Sequence, residues 1–297
     1  MVVGLVSCGR WGSLILRDLI ALGCDVPVVA RSERSVARAR EGGANAIVTD
    51  IGDLSGVDGI VVATTTSTHA EVVEAALEHR VPVFVEKPLC ADAAQADRLA
   101  QFGGERIFVM DKWRYHPGVL ELASIAKSGR LGRVHGLVTM RVAWGQHHDD
   151  VDSTWVLTPH DLSIALEILG RVPQPVAAFG LAVDGEISHL EALLDAGSAW
   201  HALTVSSRAP ERRRSIELLC ADGTASLAAG WDTYVTIFRT GSAEPEQVAT
   251  PGELPLLAEL RAFVAHLGGG PRPKSSAREG AEIVGVIERL RGLVLAP

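Results

Sequence analysis

The chain has 297 residues, 47% of them apolar and 22% charged, enough to bury a large core in about two domains and too apolar for disorder. A formal net charge of −8 without any Lys/Arg block excludes the electrostatic footprint of a nucleic-acid-binding protein. Met1 to Val6 carry no basic segment before their apolar run, and no stretch reaches the roughly 18 apolar residues that cross a bilayer, so the chain reads as cytoplasmic and free of membrane attachment. The four cysteines, Cys8, Cys24, Cys90 and Cys220, fit neither zinc-ligand nor redox spacing and read as free buried thiols.

Through about residue 110, short β-branched runs alternate with helix-length amphipathic segments. The runs are Val2–Val6, Val26–Ala30, Ala46–Thr49, Gly59–Thr64, Val81–Val85 and Arg106–Met110. Helices are predicted over Trp11–Leu22, Ser35–Glu41, Thr68–Glu78 and Ala91–Phe102, with Thr68 and Glu71 set as a capping box. Strands apolar on both faces and separated by helices predict a doubly wound parallel sheet.

After residue 112 the period shifts towards two. From Val134 to Trp144 apolar residues alternate with His135, Thr139 and Arg141, which predicts a strand with one wetter face. Asp195-Ala196-Gly197 and Asp222-Gly223 mark hairpin turns between further strands at 189–194, 198–206, 215–220 and 225–228, followed by one at 233–238. Helices are predicted at Pro159–Leu169, Leu256–Leu267 and Ala277–Leu293, with 268–276 a surface loop. The fold class is therefore α/β: a Rossmann domain over 1–112 and an α+β domain over 113–297 with a mostly antiparallel open sheet.

The first strand runs into Ser7-Cys8-Gly9-Arg10-Trp11-Gly12 and a helix, the setting of a dinucleotide-binding turn, with Ser7 where the first glycine belongs. Gly9 would admit a pyrophosphate to the helix N-terminus, and Gly12 would allow close helix–strand packing. At the end of the second strand no carboxylate awaits a ribose 2′-hydroxyl. Arg31 and Ser32, with Arg34, offer instead a donor fork and a hydroxyl suited to a 2′-phosphate, although they also suit a solvated turn. The balance favours NADP(H) over NAD(H). Glu86-Lys87-Pro88 ends the fifth strand at the sheet edge where ligands bind, and Lys87 there can polarise an oxygen; a solvated Glu–Lys pair is the alternative. In Thr158-Pro159-His160-Asp161, Thr158 is set as an N-cap and His160 in the first helical turn, where the positive helix end favours neutral imidazole. A structural histidine remains the other reading. Gln146 to Asp152 form a polar loop whose His147 and His148 could face substrate; neighbouring side chains diverge, so no metal site is assigned.

Together these residues resemble the glucose–fructose oxidoreductase / inositol dehydrogenase (Gfo/Idh/MocA) family of nicotinamide-dependent oxidoreductases. The likeness covers nearly the whole chain, through VGLVSCGRWG at 3–12, ATTTSTHAEVVEAALEHRVPVFVEKPL at 63–89, WRYHPGV at 113–119, SGRLGRV at 128–134, TPHDLSIALEILG at 158–170 and LLAELRAFVAHL at 256–267. The resemblance implies hydride transfer to or from a sugar, nucleotide-sugar or cyclitol-like alcohol or ketone, and a homodimer or homotetramer formed through the open sheet. It implies Lys87 as the residue that binds the reacting oxygen and His160 as general acid/base. Cofactor contacts are implied for Ser7, Gly9, Arg10, Trp11, Gly12, Thr64, Thr65, His69, Glu86 and Lys87, and substrate contacts for Arg114 and Tyr115. One position departs from the pattern: Val156 stands where many members have an aspartate four residues before the histidine. That departure keeps open a non-catalytic NAD(P)-binding sensor or partner protein, alongside a reductase of an imine-type acceptor.

Overall fold

The computed structural model describes residues 1–145 and 149–296. In chain order the elements are β1 (Val3–Val6), α1 (Arg10–Ala21), β2 (Pro27–Val29), α2 (Glu33–Glu41), β3 (Ala46–Val48), β4 (Gly59–Val62), α3 (His69–Leu77), β5 (Val83–Glu86), α4 (Ala93–Gly103), β6 (Ile107–Met110), α5 (Pro117–Ser128), β7 (Val134–Trp144) and α6 (Ser153–Leu169). Strands β8 (Gln174–Val183), β9 (Glu186–Asp195), β10 (Trp200–Ser206), β11 (Arg208–Cys220), β12 (Gly223–Leu227), β13 (Tyr234–Arg239) and β14 (Glu246–Ala249) follow. Helices α7 (Pro255–Leu267) and α8 (Ala277–Leu295) close the chain. Among the described residues, no helix is long and apolar enough to cross a membrane.

Two compact units result. The first holds Met1–Lys112 and Leu254–Val284, the second Trp113–Glu253 and the chain from Gly285 onward. Sequence pattern alone assigns everything after 112 to the second domain. In the structure α7 belongs with the first unit, because Leu256, Leu260 and Phe263 are buried in the core built on β1 and α1. Phe263 also stacks on Phe84 with centroids 4.9 Å apart.

The first unit is a parallel sheet in the order β3-β2-β1-β4-β5-β6. The order reverses between β1 and β4, so their carboxyl ends flank the crevice where such sheets take ligands. Helix α1 buries Ile15, Leu16 and Leu19 against it. The expected capping box at α3 does not form: the Thr68 hydroxyl donates to the Thr65 carbonyl at 2.9 Å, because residues 66–68 make a 3-10 turn ahead of the helix.

The second unit is an eight-stranded sheet, β14-β13-β12-β11-β7-β10-β9-β8, antiparallel except for the β7–β10 pair. Helices α5 and α6 cover one face, with Leu122, Ile125, Ile164 and Ile168 packed on Leu137, Ile216, Leu218 and Leu227. Two expectations are corrected here. The face of β7 bearing Thr139 and Arg141 is the buried one, while Trp144 is 70% exposed; the polar groups go inside because each finds a partner there. Helix α6 begins at Ser153, with the Asp152 side chain accepting from the Thr154 amide at 3.0 Å. Thr158 is therefore no cap, and Pro159 lies inside the helix.

Candidate functional site

The first unit places loops from four strand ends around one cleft of about 620 Å³. Ser7 comes from the end of β1, Arg31 and Ser32 from β2, Asp50 from β3, and Thr64 and Thr65 from β4. Ser7 adopts φ +78°, the left-handed conformation a glycine normally supplies, so the turn is kept at a strain on the order of 1–2 kcal/mol. A Cβ on Gly12 would come within 2.4 Å of the Ser7 carbonyl oxygen, whereas one on Gly9 would meet nothing within 4 Å. Gly12 is thus a packing glycine, and Gly9 leaves open space at the start of α1. No side chain caps α1, so its first amides suit a phosphate.

At the β2 end, the Arg31 Nε–H donates to the Thr49 carbonyl at 2.9 Å, and Nη2 lies 3.5 Å from Asp50 Oδ2. Ser32 caps α2 by accepting from the Ser35 amide at 3.2 Å, and the Ser35 hydroxyl accepts from the Cys8 amide at 3.1 Å. These bonds tie the β1 turn to α2. Arg34 is exposed in the first turn of α2 and does not line the cleft. The Thr64 hydroxyl lines it, buried and without a hydrogen-bond partner. Orphaned hydroxyl, uncapped helix end and guanidinium together fit a dinucleotide with a phosphorylated or free ribose.

Beside this turn lies a buried charge cluster. The Trp11 indole N–H donates to Glu86, the Lys87 amide donates to the same carboxylate at 3.2 Å, and the Lys112 ammonium sits 3.9 Å from the centre of the Trp11 ring. Glu86 is buried rather than a solvated strand-end acid. Burial raises its pKa above the ordinary value, against the opposing pull of Lys87 and Lys112. Glu259, on α7, faces the same group and is 0% exposed. His69 does not line the cleft; its Nδ1 lies 2.7 Å from the Pro88 carbonyl and its Nε2 3.3 Å from the Thr64 carbonyl, bracing two strand ends. Gly9, Arg10, Trp11, Gly12, Glu86 and Lys87 also stand outside the lining.

In the second unit, His160 is the eighth residue of α6. The macrodipole acts within the first turn, so the helix-end reason for a neutral imidazole does not apply. Asp161, expected as a capping acid, pairs instead with Arg141, whose Nε–H donates to its Oδ2 at 3.0 Å. Val156 is buried one helical turn before His160. Arg114 forms an ion pair with Glu167 at 3.0 Å, and Tyr115 closes the short helical turn Lys112–Tyr115. His147 and His148 lie outside the described residues.

Residues 2–106 match the model of an oxidoreductase family with an NAD-binding Rossmann fold, GFO_IDH_MocA. That match makes the N-terminal region a Rossmann domain of the GFO_IDH_MocA type. Hyg17, a myo-inositol dehydrogenase of Streptomyces leeuwenhoekii, is 28% identical over 310 residues, which span 91% of this chain and 90% of the relative. The fold matches UDP-N-acetylglucosamine 3-dehydrogenase GnnA from Acidithiobacillus ferrooxidans with a TM-score of 0.86 at 24% identity, over 100% of this chain and 98% of that one. It also matches KijD10, a 3-ketoreductase from Actinomadura kijaniata solved with NADP, with a TM-score of 0.86 at 19% identity, over 99% and 97% of the two chains.

Four residues described above escaped the sequence pattern. Asp50 sits in a loop with no recognisable spacing to Arg31. Arg141 and Arg214 lie on strands, where burial depends on which face turns inward. Glu259 alone had a readable signal, since Leu256, Glu259, Leu260 and Phe263 fall on one helical stripe.

Proposed function

We propose that the protein transfers hydride between a nicotinamide dinucleotide and a sugar, nucleotide-sugar or cyclitol-like alcohol or ketone, with NADP(H) favoured. The cleft at the β1–β4 reversal carries this reading: a left-handed Ser7, the Arg31 guanidinium and the orphaned Thr64 hydroxyl line it, and the uncapped start of α1 follows Ser7 in the chain. When bound, the dinucleotide gives or takes the hydride. Lys87 is assigned the hydrogen bond to the reacting oxygen and His160 the proton transfer, typically worth about 10²–10⁴-fold. Both assignments rest on the family pattern. Myo-inositol dehydrogenase activity in Hyg17 and ketoreduction in KijD10 support the substrate class. Arg31, exposed beside a strand end that lacks a carboxylate of its own, supports NADP(H). Asp50 is the competing feature, because it holds the same guanidinium and could accept from a ribose hydroxyl.

The test titrates NADPH and NADH into the wild-type chain and two variants, following nicotinamide fluorescence. Arg31→Ala should weaken NADPH roughly 10- to 100-fold, the worth of a charge-assisted hydrogen bond of about 1.5–3 kcal/mol, and leave NADH unchanged. Equal loss for both cofactors would remove the 2′-phosphate reading. Lys87→Met should bind cofactor normally and lose most turnover of keto-sugars or inositols; an unchanged kcat would end its role.

A further inference from the structure

Arg141 on β7 stands directly opposite Arg214 on β11 in the antiparallel register. Directly opposed residues share a face of the sheet, and like charges there repel. Asp161 hydrogen-bonds only Arg141, and its charge acts on Arg214 without a direct contact. Arg141, 3% exposed, spends its Nε–H on Asp161 Oδ2 and lies with its guanidinium 4.5 Å from the centre of the Trp113 ring. Its Nη1 is buried with no hydrogen-bond partner, and so is Asp161 Oδ1. Arg214 is half-buried and makes no ion pair or side-chain hydrogen bond among the described residues. Its burial, followed by the charges of Arg141 and Arg212 and opposed by that of Asp161, brings its pKa down to about 10, so it remains a cation at neutral pH.

The surroundings are fixed. A Cβ on Gly230 would come within 2.6 Å of the Trp113 ring and 3.4 Å of the Arg214 Cβ, so that loop runs close over both. His116 holds it, donating from Nε2 to the Gly230 carbonyl at 3.2 Å while Nδ1 accepts from the Gly118 amide at 3.1 Å. The same histidine ring stacks on Trp113 at 4.9 Å. Arg212 is exposed and screened by solvent, so the partly dry place holds two cations and one carboxylate, an excess of one positive charge that proteins ordinarily avoid. One monoanion restores neutrality; a phosphate dianion overshoots it. Planar guanidinium donors also match the two oxygens of a carboxylate.

We propose that Arg214, backed by Arg141, binds a carboxylate carried by the substrate, so that the protein acts on a sugar acid of the hexuronate class rather than on a neutral sugar. This deepens the oxidoreductase reading and rests on it. Asp161, the partner of Arg141, lies on the same helix, α6, as His160, the residue assigned to proton transfer.

The experiment is calorimetric titration of the full chain, with and without NADPH, using D-glucuronate and D-galacturonate against D-glucose, D-galactose and glucose 6-phosphate. At least one hexuronate should bind tenfold or more tighter than its neutral hexose and than the phosphate. Arg214→Gln should erase that advantage and leave NADPH affinity unchanged, while Arg214→Lys should keep part of it. Phenylglyoxal labelling with peptide mapping gives a readout on the unmutated chain: Arg214 should react fastest and be protected by the hexuronate alone. Equal binding of acid and neutral sugars, no hexuronate binding, a preference for the phosphate, or an advantage surviving in Arg214→Gln would each overturn the proposal. Because binding is read without turnover, the two readings fail separately. A chain that turns over neutral sugars without favouring the acid overturns this inference alone, and one that binds the acid without hydride transfer overturns only the oxidoreductase reading.

Discussion

Glu259 is the residue whose chemistry is most exposed to test. It lies on the apolar stripe of α7, fully buried, and neither carboxyl oxygen has a hydrogen-bond partner. Burial raises its pKa well above the ordinary 4.5, and the neighbouring Glu86 carboxylate adds to the shift. Glu86 accepts from Trp11 and the Lys87 amide, so of two acids that cannot both ionise at low cost, Glu259 is the one to hold the proton. The folded chain then keeps a proton that the unfolded chain releases. The group's stability contribution is complete below pH 4.5 and is lost as pH rises towards the raised folded value. Glu259→Gln keeps the shape and removes this titration. Its stability relative to wild type should therefore climb between pH 5 and pH 9 in urea melts; parallel wild-type and variant curves across that range would show that Glu259 is already ionised in the folded state.

At the level of elements, the sequence was most legible where physics leaves one solution. Strands β1 to β6 are apolar on both faces, so a covered parallel sheet was the only outcome. Local signals misled where tertiary partners outweighed them. Thr158-Pro159 is a sound helix start in isolation, but Asp152 supplies a better one, and the turn between them buries Trp155 and Leu157. The polar residues of β7 suggested solvent because their partners, Asp161 on α6 and His201 on β10, are distant in sequence. Helix α5 and strand β8 carried no period strong enough to announce them. In the turn after β1 the glycine pattern was readable, whereas its bracing by Ser35, and the bracing of the β4 and β5 ends by His69, was not. Asp152 concentrates the element-level energetics. It caps α6, accepts from the Ile187 amide at 2.9 Å, and pairs with Arg291. Asp152→Ala removes the cap, worth about 1 kcal/mol, and leaves Arg291 without its buried partner, so the total loss should be roughly 2–4 kcal/mol. A melt within 0.5 kcal/mol of wild type would show that α6 is held by packing alone.

For the whole molecule, the decisive feature is the sheet face that α5 and α6 leave uncovered. Alternation puts Phe179, Leu181, Leu193, Trp200 and Phe238 on that face, since their cross-strand partners are the outward residues of β7, β9, β10, β11 and β12. Phe179 is 75% exposed and Phe238 50%. Large apolar side chains gathered on one strand-built surface mark an association site more often than a solvated one, and a flat repeated surface is self-complementary in a two-fold pair. We propose that a second copy of the chain covers it, giving a homodimer or homotetramer. Glu191 and Glu217 lie on the same face, Glu191 accepting from the Thr204 hydroxyl at 2.6 Å with His189 Nε2 3.4 Å away. Sedimentation velocity at micromolar concentration should show a dimer or larger species for the wild-type chain. Phe179→Glu, which adds charge at an exposed position of the edge strand β8 and touches no core residue, should shift it to monomer with an unchanged melting temperature of the monomeric fold. A wild-type chain that sediments as a monomer would leave the face to another partner, and a Phe179→Glu variant that stays associated would place the interface elsewhere on the second unit.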